Sequence, residues 1–144
     1  MPTPEEIEAA DVFLGKAASD LAAARLLAGD DEQDDDVVGF HAQQAVEKAL
    51  KAVVAVRSLE IPRSHDLGVL IRMLDSPDDE LPVEIREADW LNPWAVALRY
   101  DHPGATLDRG LAMEVPKRAC VGLGTVSTRL EGMRMAAEDP RRRA

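Results

Sequence analysis

The stretch Phe40-His41-Ala42-Gln43-Gln44-Ala45-Val46-Glu47-Lys48-Ala49-Leu50-Lys51-Ala52, FHAQQAVEKALKA, decides how this chain folds. Read with its flanks, from about Asp36 to Ser58, it has the period of a helix. Val38, Ala42, Ala45, Val46, Ala49, Val53 and Val56 fall on one broad apolar face. His41, Gln44, Lys48 and Lys51, at spacings of three, four and three, form one polar stripe on the other side. Val37, Phe40, Val54 and Ala55 flank that stripe, so the helix is apolar on nearly two sides with a narrow polar seam. A helix of this kind is central in a bundle or lies at a subunit interface.

On the N-terminal side, Asp30-Asp31-Glu32-Gln33-Asp34-Asp35-Asp36 places six acids in seven residues. The run lacks the correctly placed glycine and closing glutamate of a calcium-binding EF-hand loop. It reads as a solvated connection, with Asp35 or Asp36 capping the next helix. Before it, Glu5 to Ala28 reads as a helix that Gly29 stops, with Ile7, Val12, Phe13, Leu14, Leu21, Ala24, Leu27 and Ala28 as its apolar residues.

On the C-terminal side, Ile61-Pro62-Arg63-Ser64-His65-Asp66 is a connector. Ser64, His65 and Asp66 are neighbours in the chain, which does not by itself present the hydrogen-bond relay of a hydrolytic triad. The better reading makes Ser64 or Asp66 the cap of a short helix through Leu67, Val69, Leu70, Ile71 and Leu74. After a stop at Ser76-Pro77-Asp78-Asp79, a segment runs from about Val83 to Tyr100. Pro93 interrupts it, predicting a kink or two short helices. Trp90 and Trp94, four apart, share a face and read as packing residues. A last helix spans about Leu107 to Ala137, with Val115, Ala119, Val121, Val126, Leu130 and Met133 turned to the core. Pro116, Gly122 and Gly124 weaken it. Residues 1–139 read as one domain and 140–144, with Arg141-Arg142-Arg143, as a basic, disordered tail.

Composition agrees with helices. A chain of 144 residues is sized for one core. It is 46% hydrophobic but only 3% aromatic, so the core is built from Ala, Leu, Val, Ile and Met, which suits closely packed helices better than a β-sandwich. The fold class that follows is all-α, an up-and-down helical bundle of four to five helices. The formal net charge of −10 repels nucleic acid as a whole, so any RNA contact needs a local basic patch. Cys120 stands alone, which excludes an internal disulfide and a cysteine-based zinc site; it reads as a small apolar side chain. No metal site and no cofactor are expected. No charged leader opens the chain, and no apolar run approaches the ~20 residues of a membrane span. A cytoplasmic protein without membrane contact is the expectation.

Chemistry concentrates in Ala97-Leu98-Arg99-Tyr100-Asp101-His102-Pro103-Gly104, where an arginine, a phenol, a carboxylate and an imidazole stand together at the expected end of the fourth segment. Arg99 favours a helix C-terminus and offers a bidentate donor for phosphate. His102 supplies a group that exchanges protons near neutral pH, although Pro103 turns it away from helical geometry.

These residues carry a resemblance. FHAQQAVEKALKA is similar to the signature helix of HEPN domains, His65-Asp66-Leu67 to the opening of their next helix, and Arg99-Tyr100 to the end of their fourth. The motifs follow in the family's order and cover most of the chain. The resemblance implies a four- or five-helix bundle and a homodimer. It also implies a minimal nucleotidyltransferase as partner in a toxin–antitoxin-like pair, and contact with nucleotide or RNA. Arg99, Tyr100, His41 and Lys48 are then the nucleotide- or phosphate-binding candidates. Tyr100, beside the arginine, is also a candidate acceptor of a nucleotidyl group. In the toxin branch the resemblance implies a metal-independent endoribonuclease, with an arginine, four to six intervening residues, and a histidine. Here only Tyr100 and Asp101 separate Arg99 from His102, and no later histidine follows. A non-catalytic binding module is therefore preferred; the alternative is an endoribonuclease using Arg99 and His102 as its catalytic pair.

Overall fold

The computed structural model describes residues 2–96, 106–122 and 141. Its first element, α1, runs from Pro4 to Ala28. Thr3-Pro4-Glu5-Glu6 starts it with a reciprocal capping box: the Thr3 hydroxyl accepts from Glu6 N–H at 3.1 Å, and Thr3 N–H donates to Glu6 Oε2 at 2.8 Å. Pro4 has no N–H, so the box satisfies two of the three unpaired N–H groups at this helix start. Ile7, Ala10, Ala17, Leu21 and Ala24 are buried, whereas Val12, expected on the inner face, is exposed.

The second helix, α2, spans Asp35–Val56 and packs along α1. The pair is antiparallel, since Ser58, just beyond the end of α2, meets Glu6 near the start of α1, and His41 meets Asp20. The N-cap is Asp34, and its side chain makes no capping bond, so neither Asp35 nor Asp36 caps α2. The C-terminus also falls earlier than Ser58. Ser58 has φ 57°, and its N–H bonds Ala55 O while Leu59 N–H bonds Val54 O. This paired arrangement with a left-handed residue is the usual way a helix ends; serine holds the place that glycine normally takes.

Enclosure of α2 is more complete than one apolar face would give. Leu50, Val54 and Ala55 are buried along with Val38, Ala42, Ala45, Val46 and Ala49, while Val53 and Val56 are only half-buried. The reason is that α1 covers one side and the later segments cover the other. Those segments are α3 (Leu67–Leu74) and a 3-10 helix (Ala88–Ala95), with the single turn α4 (Val83–Arg86) packed on the 3-10 helix. Asp66 caps α3, accepting from Gly68 N–H at 2.8 Å. The fourth segment is two short helices, but the break falls at Glu87 and not at Pro93, which the 3-10 helix accommodates in its interior. Trp94 and Trp90 meet edge to face, centroids 6.3 Å apart, which is the packing role expected of them. Gly39 of α2 lets Trp94 in: a β-carbon there would lie 2.3 Å from the indole Cδ1.

A further helix, α5, covers 109–122, and Leu107 before it is also in the core. It starts two residues later than expected and continues through Pro116. Val115 and Ala119 are buried, but Val121 is exposed. Val126, Leu130, Met133 and most of the basic tail lie outside the described residues. The first turn of α5 organises the acidic connection. Arg109 donates from Nε to Asp35 Oδ1 at 2.9 Å, from Nη1 to Ala28 O at 3.2 Å and Asp30 O at 3.0 Å, and from Nη2 to Gln33 O. The acidic run is a solvated loop, as expected, with Asp30, Asp31, Glu32 and Asp34 exposed, and Arg109 clamps it to α5. Among the described residues there is no strand, only an isolated bridge between Ser76 and Asp79. The all-α helical bundle is the fold.

Candidate functional site

The polar stripe of α2 divides into two clusters. In the first, Asp20 of α1 reaches between two α2 side chains: His41 Nδ1 lies 3.0 Å from Asp20 Oδ1, and Lys48 Nζ lies 2.5 Å from Asp20 Oδ2. His41 and Lys48 are seven residues apart, two turns on one face, so a single carboxylate bridges them. All three are half-buried. Two cationic or hydrogen-bonding groups are thus preset around one acidic oxygen pair.

In the second cluster, Lys51 Nζ lies 3.2 Å from Glu47 Oε2, and His65 Nδ1 lies 2.9 Å from Glu47 Oε1. Gln43 Nε2 donates to His65 O at 2.8 Å, and Gln44 Nε2 donates to Gln43 Oε1 at 2.8 Å. Gln43, Glu47 and Lys51 are buried, so this is a satisfied polar network inside the bundle. It locks the connector before α3 onto α2. Ser64, His65 and Asp66 do not form a relay: Ser64 Oγ accepts from Asp66 N–H, Asp66 caps α3, and the imidazole turns to Glu47. Beside His65 lies a shallow depression of about 270 Å³, lined by His65, Asp66, Asn92, Ala95 and Val96. Asn92 ties its rim together, accepting from Leu67 N–H at 2.9 Å and donating to Asp66 Oδ1 at 2.8 Å.

Of the expected site residues, His41 and Lys48 are brought together, on Asp20. Arg99, Tyr100 and His102 lie outside the described residues. The HEPN domain family matches residues 10–119, a span that holds both clusters. The chain belongs to the HEPN domain family. No curated protein and no solved structure matches it. As a HEPN domain it is a nucleotide- or RNA-related helical module. Among its described residues no helix is long and apolar enough to cross a membrane.

Several members of these two clusters were not singled out from the sequence. Glu47 was legible as the i, i+4 ion-pair partner of Lys51, already in the polar stripe. Gln43, four residues before Glu47, lies in the same line. Asp20 and Asn92 gave no such signal, because their partners sit on other elements. Cys120 behaves as the apolar residue it was read to be: burial pushes its thiol above the ordinary value, against a smaller opposing effect of Arg25.

Proposed function

We propose that this HEPN chain is a binding module, homodimeric, that partners a minimal nucleotidyltransferase in a toxin–antitoxin-like pair and contacts nucleotide or RNA through phosphate. Residues 1–139 form the binding domain in this reading, with 140–144 as a basic tail. The observation that carries it is the convergence of His41 and Lys48 on Asp20, at 3.0 and 2.5 Å. A carboxylate held by two such groups is geometrically similar to a phosphate edge, so a phosphate oxygen pair that displaces Asp20 finds its donors in place. Arg99 adds a bidentate donor and Tyr100 a hydroxyl in the same reading. Family membership supports the nucleotide class. The acidic surface, at −10, favours a basic protein partner over bare RNA.

Calorimetry with ATP tests the ligand. Asp20→Asn, which removes the competing carboxylate, is expected to tighten binding, and Lys48→Ala and Arg99→Ala to weaken it. If neither wild type nor Asp20→Asn binds ATP at millimolar concentration, the reading fails. Light scattering tests the dimer, and co-purification from the native host tests the partner. Cleavage of RNA by the purified protein, abolished by Arg99→Ala, would replace this reading with the endoribonuclease.

A further inference from the structure

Gln43 and Gln44 are neighbours in α2, and together they carry a hydrogen-bond order outward from the core. His65 O is a backbone carbonyl and can only accept, so the Gln43 group that meets it at 2.8 Å is the amide nitrogen. Gln43 Oε1 is then an acceptor, and it takes a hydrogen from Gln44 Nε2 at 2.8 Å. One carbonyl thus settles the orientation of both amides. Gln43 is fully buried, so this chain of bonds is anchored in the interior.

Gln44 ends the chain half-buried at the surface. Its bond to Gln43 uses one of its two amide hydrogens and leaves Oε1 untouched. The second N–H and Oε1 stand side by side, donor next to acceptor, and among the described residues nothing takes either.

The place of this amide matters as much as its polarity. Phe40, Gln44 and Lys48 are each four residues apart in α2, so they follow one another along one side of the helix, about 5–6 Å per step. Phe40 is also half-buried, and its ring meets His41 edge to face, centroids 5.4 Å apart. Along one line of α2 there stand an apolar ring, an amide with a donor–acceptor edge, and the lysine that shares Asp20 with His41.

We propose that Gln44 reads the base of a nucleotide whose phosphate lies on His41 and Lys48. The base rests against Phe40 and exchanges two hydrogen bonds with the amide. For adenine, the 6-amino group donates to Oε1 and a ring nitrogen accepts from Nε2. Gln43 is the positioning residue, since its bond fixes which way the Gln44 amide faces. The inference rests on the nucleotide reading above and adds what recognises the base.

The test is calorimetry of the full chain with three probes. Adenosine 5′-monophosphate carries base and phosphate, purine riboside 5′-monophosphate lacks the 6-amino group, and ribose 5-phosphate lacks the base. Wild type is expected to bind the adenosine compound about three- to tenfold more tightly than the purine riboside, the value of one hydrogen bond. Gln44→Met, folded by circular dichroism, is expected to bind those two alike while holding ribose 5-phosphate as wild type does. Gln43→Met should lose the same discrimination although Gln44 is intact. If Gln43→Met does not fold, wild type and Gln44→Met decide alone. Equal affinity of wild type for adenosine 5′-monophosphate and the purine riboside overturns the inference, as does discrimination that survives in Gln44→Met. If all three probes bind alike and Lys48→Ala weakens them equally, the phosphate site stands without base recognition. If none binds to wild type or Asp20→Asn, both readings fall.

Discussion

A β-carbon built on Gly39 would fall 2.3 Å from Trp94 Cδ1 and 2.4 Å from Cγ, closer than real contacts allow. The indole cannot easily yield, being 4% exposed and packed against Trp90. Among the described residues its Nε1 has no hydrogen-bond partner, so packing holds the ring in place. Gly39→Ala therefore has to push the 3-10 helix away from α2, and is expected to cost about 2–3 kcal/mol. Gly15 presents the opposite case. A β-carbon there meets nothing within 4 Å, and glycine within a helix is itself unfavourable. Gly15→Ala is expected to stabilise by about 0.5–1 kcal/mol. Urea unfolding of the two variants gives both numbers. A Gly39→Ala protein as stable as wild type would mean that Trp94 is not fixed against α2. In the sequence both residues are simply glycines inside a helical pattern, and only the packing separates them.

The two ends of the long hairpin are coupled through one carboxylate. Glu6 Oε2 receives the Ser58 hydroxyl at 2.7 Å and the Thr3 N–H at 2.8 Å. The hydroxyl of Ser58, then the Thr3 N–H, hold the carboxyl below its ordinary value of 4.5. A folded-state value below the unfolded one means that folding favours the ionised form. This contribution is complete above the unfolded value and fades as pH falls through the lower, folded one. Ser58→Ala should bring Glu6 back toward 4.5 and flatten the loss of stability on acidification, both visible in an NMR titration of Glu6 and in melting curves below pH 5. An unchanged Glu6 titration would show that the hydroxyl contributes nothing. The helices themselves were legible because their signals are local: apolar spacing, the stop at Gly29 and the cap at Asp66; the division of the fourth segment falls at Glu87, where no proline marks it. Their ends were less so. Asp34, not Asp35 or Asp36, is the N-cap of α2, while the Asp35 carboxylate takes Arg109, and no spacing announces a pairing across 74 residues. The register of α1 on α2 is equally silent in the sequence. His41 and Lys48 could be placed on one stripe, but Asp20, the acid they share, becomes their partner only once the two helices are docked.

Across the whole molecule, the bundle is held by polar groups in its interior as well as by its aliphatic core. Gln43, Glu47 and Lys51 are buried where the α1–α2 hairpin meets the connector to α3. Removing one charge strands the other, so Glu47→Gln is expected to cost about 3 kcal/mol. Adding Lys51→Met should recover part of that loss, as a double-mutant cycle in urea would show; full additivity of the two changes would mean that the pair is not coupled. Arg109 ties the molecule together on a longer scale, joining α5 to Ala28 across 81 residues and to Asp35 across 74. That separation has a kinetic consequence. The hairpin of α1 and α2 can form from near neighbours, but closing a loop of this length has an entropic cost that its contacts recover only late. Bonds made by Arg109 should be absent at the folding barrier. Arg109→Met, at a cost of about 2 kcal/mol, is then expected to leave the refolding rate nearly unchanged and to make unfolding about 30-fold faster. Slower refolding in stopped-flow measurements would instead place the clamp in the folding nucleus. With the clamp formed late, this one arginine governs how long the native molecule lasts rather than how quickly it arises.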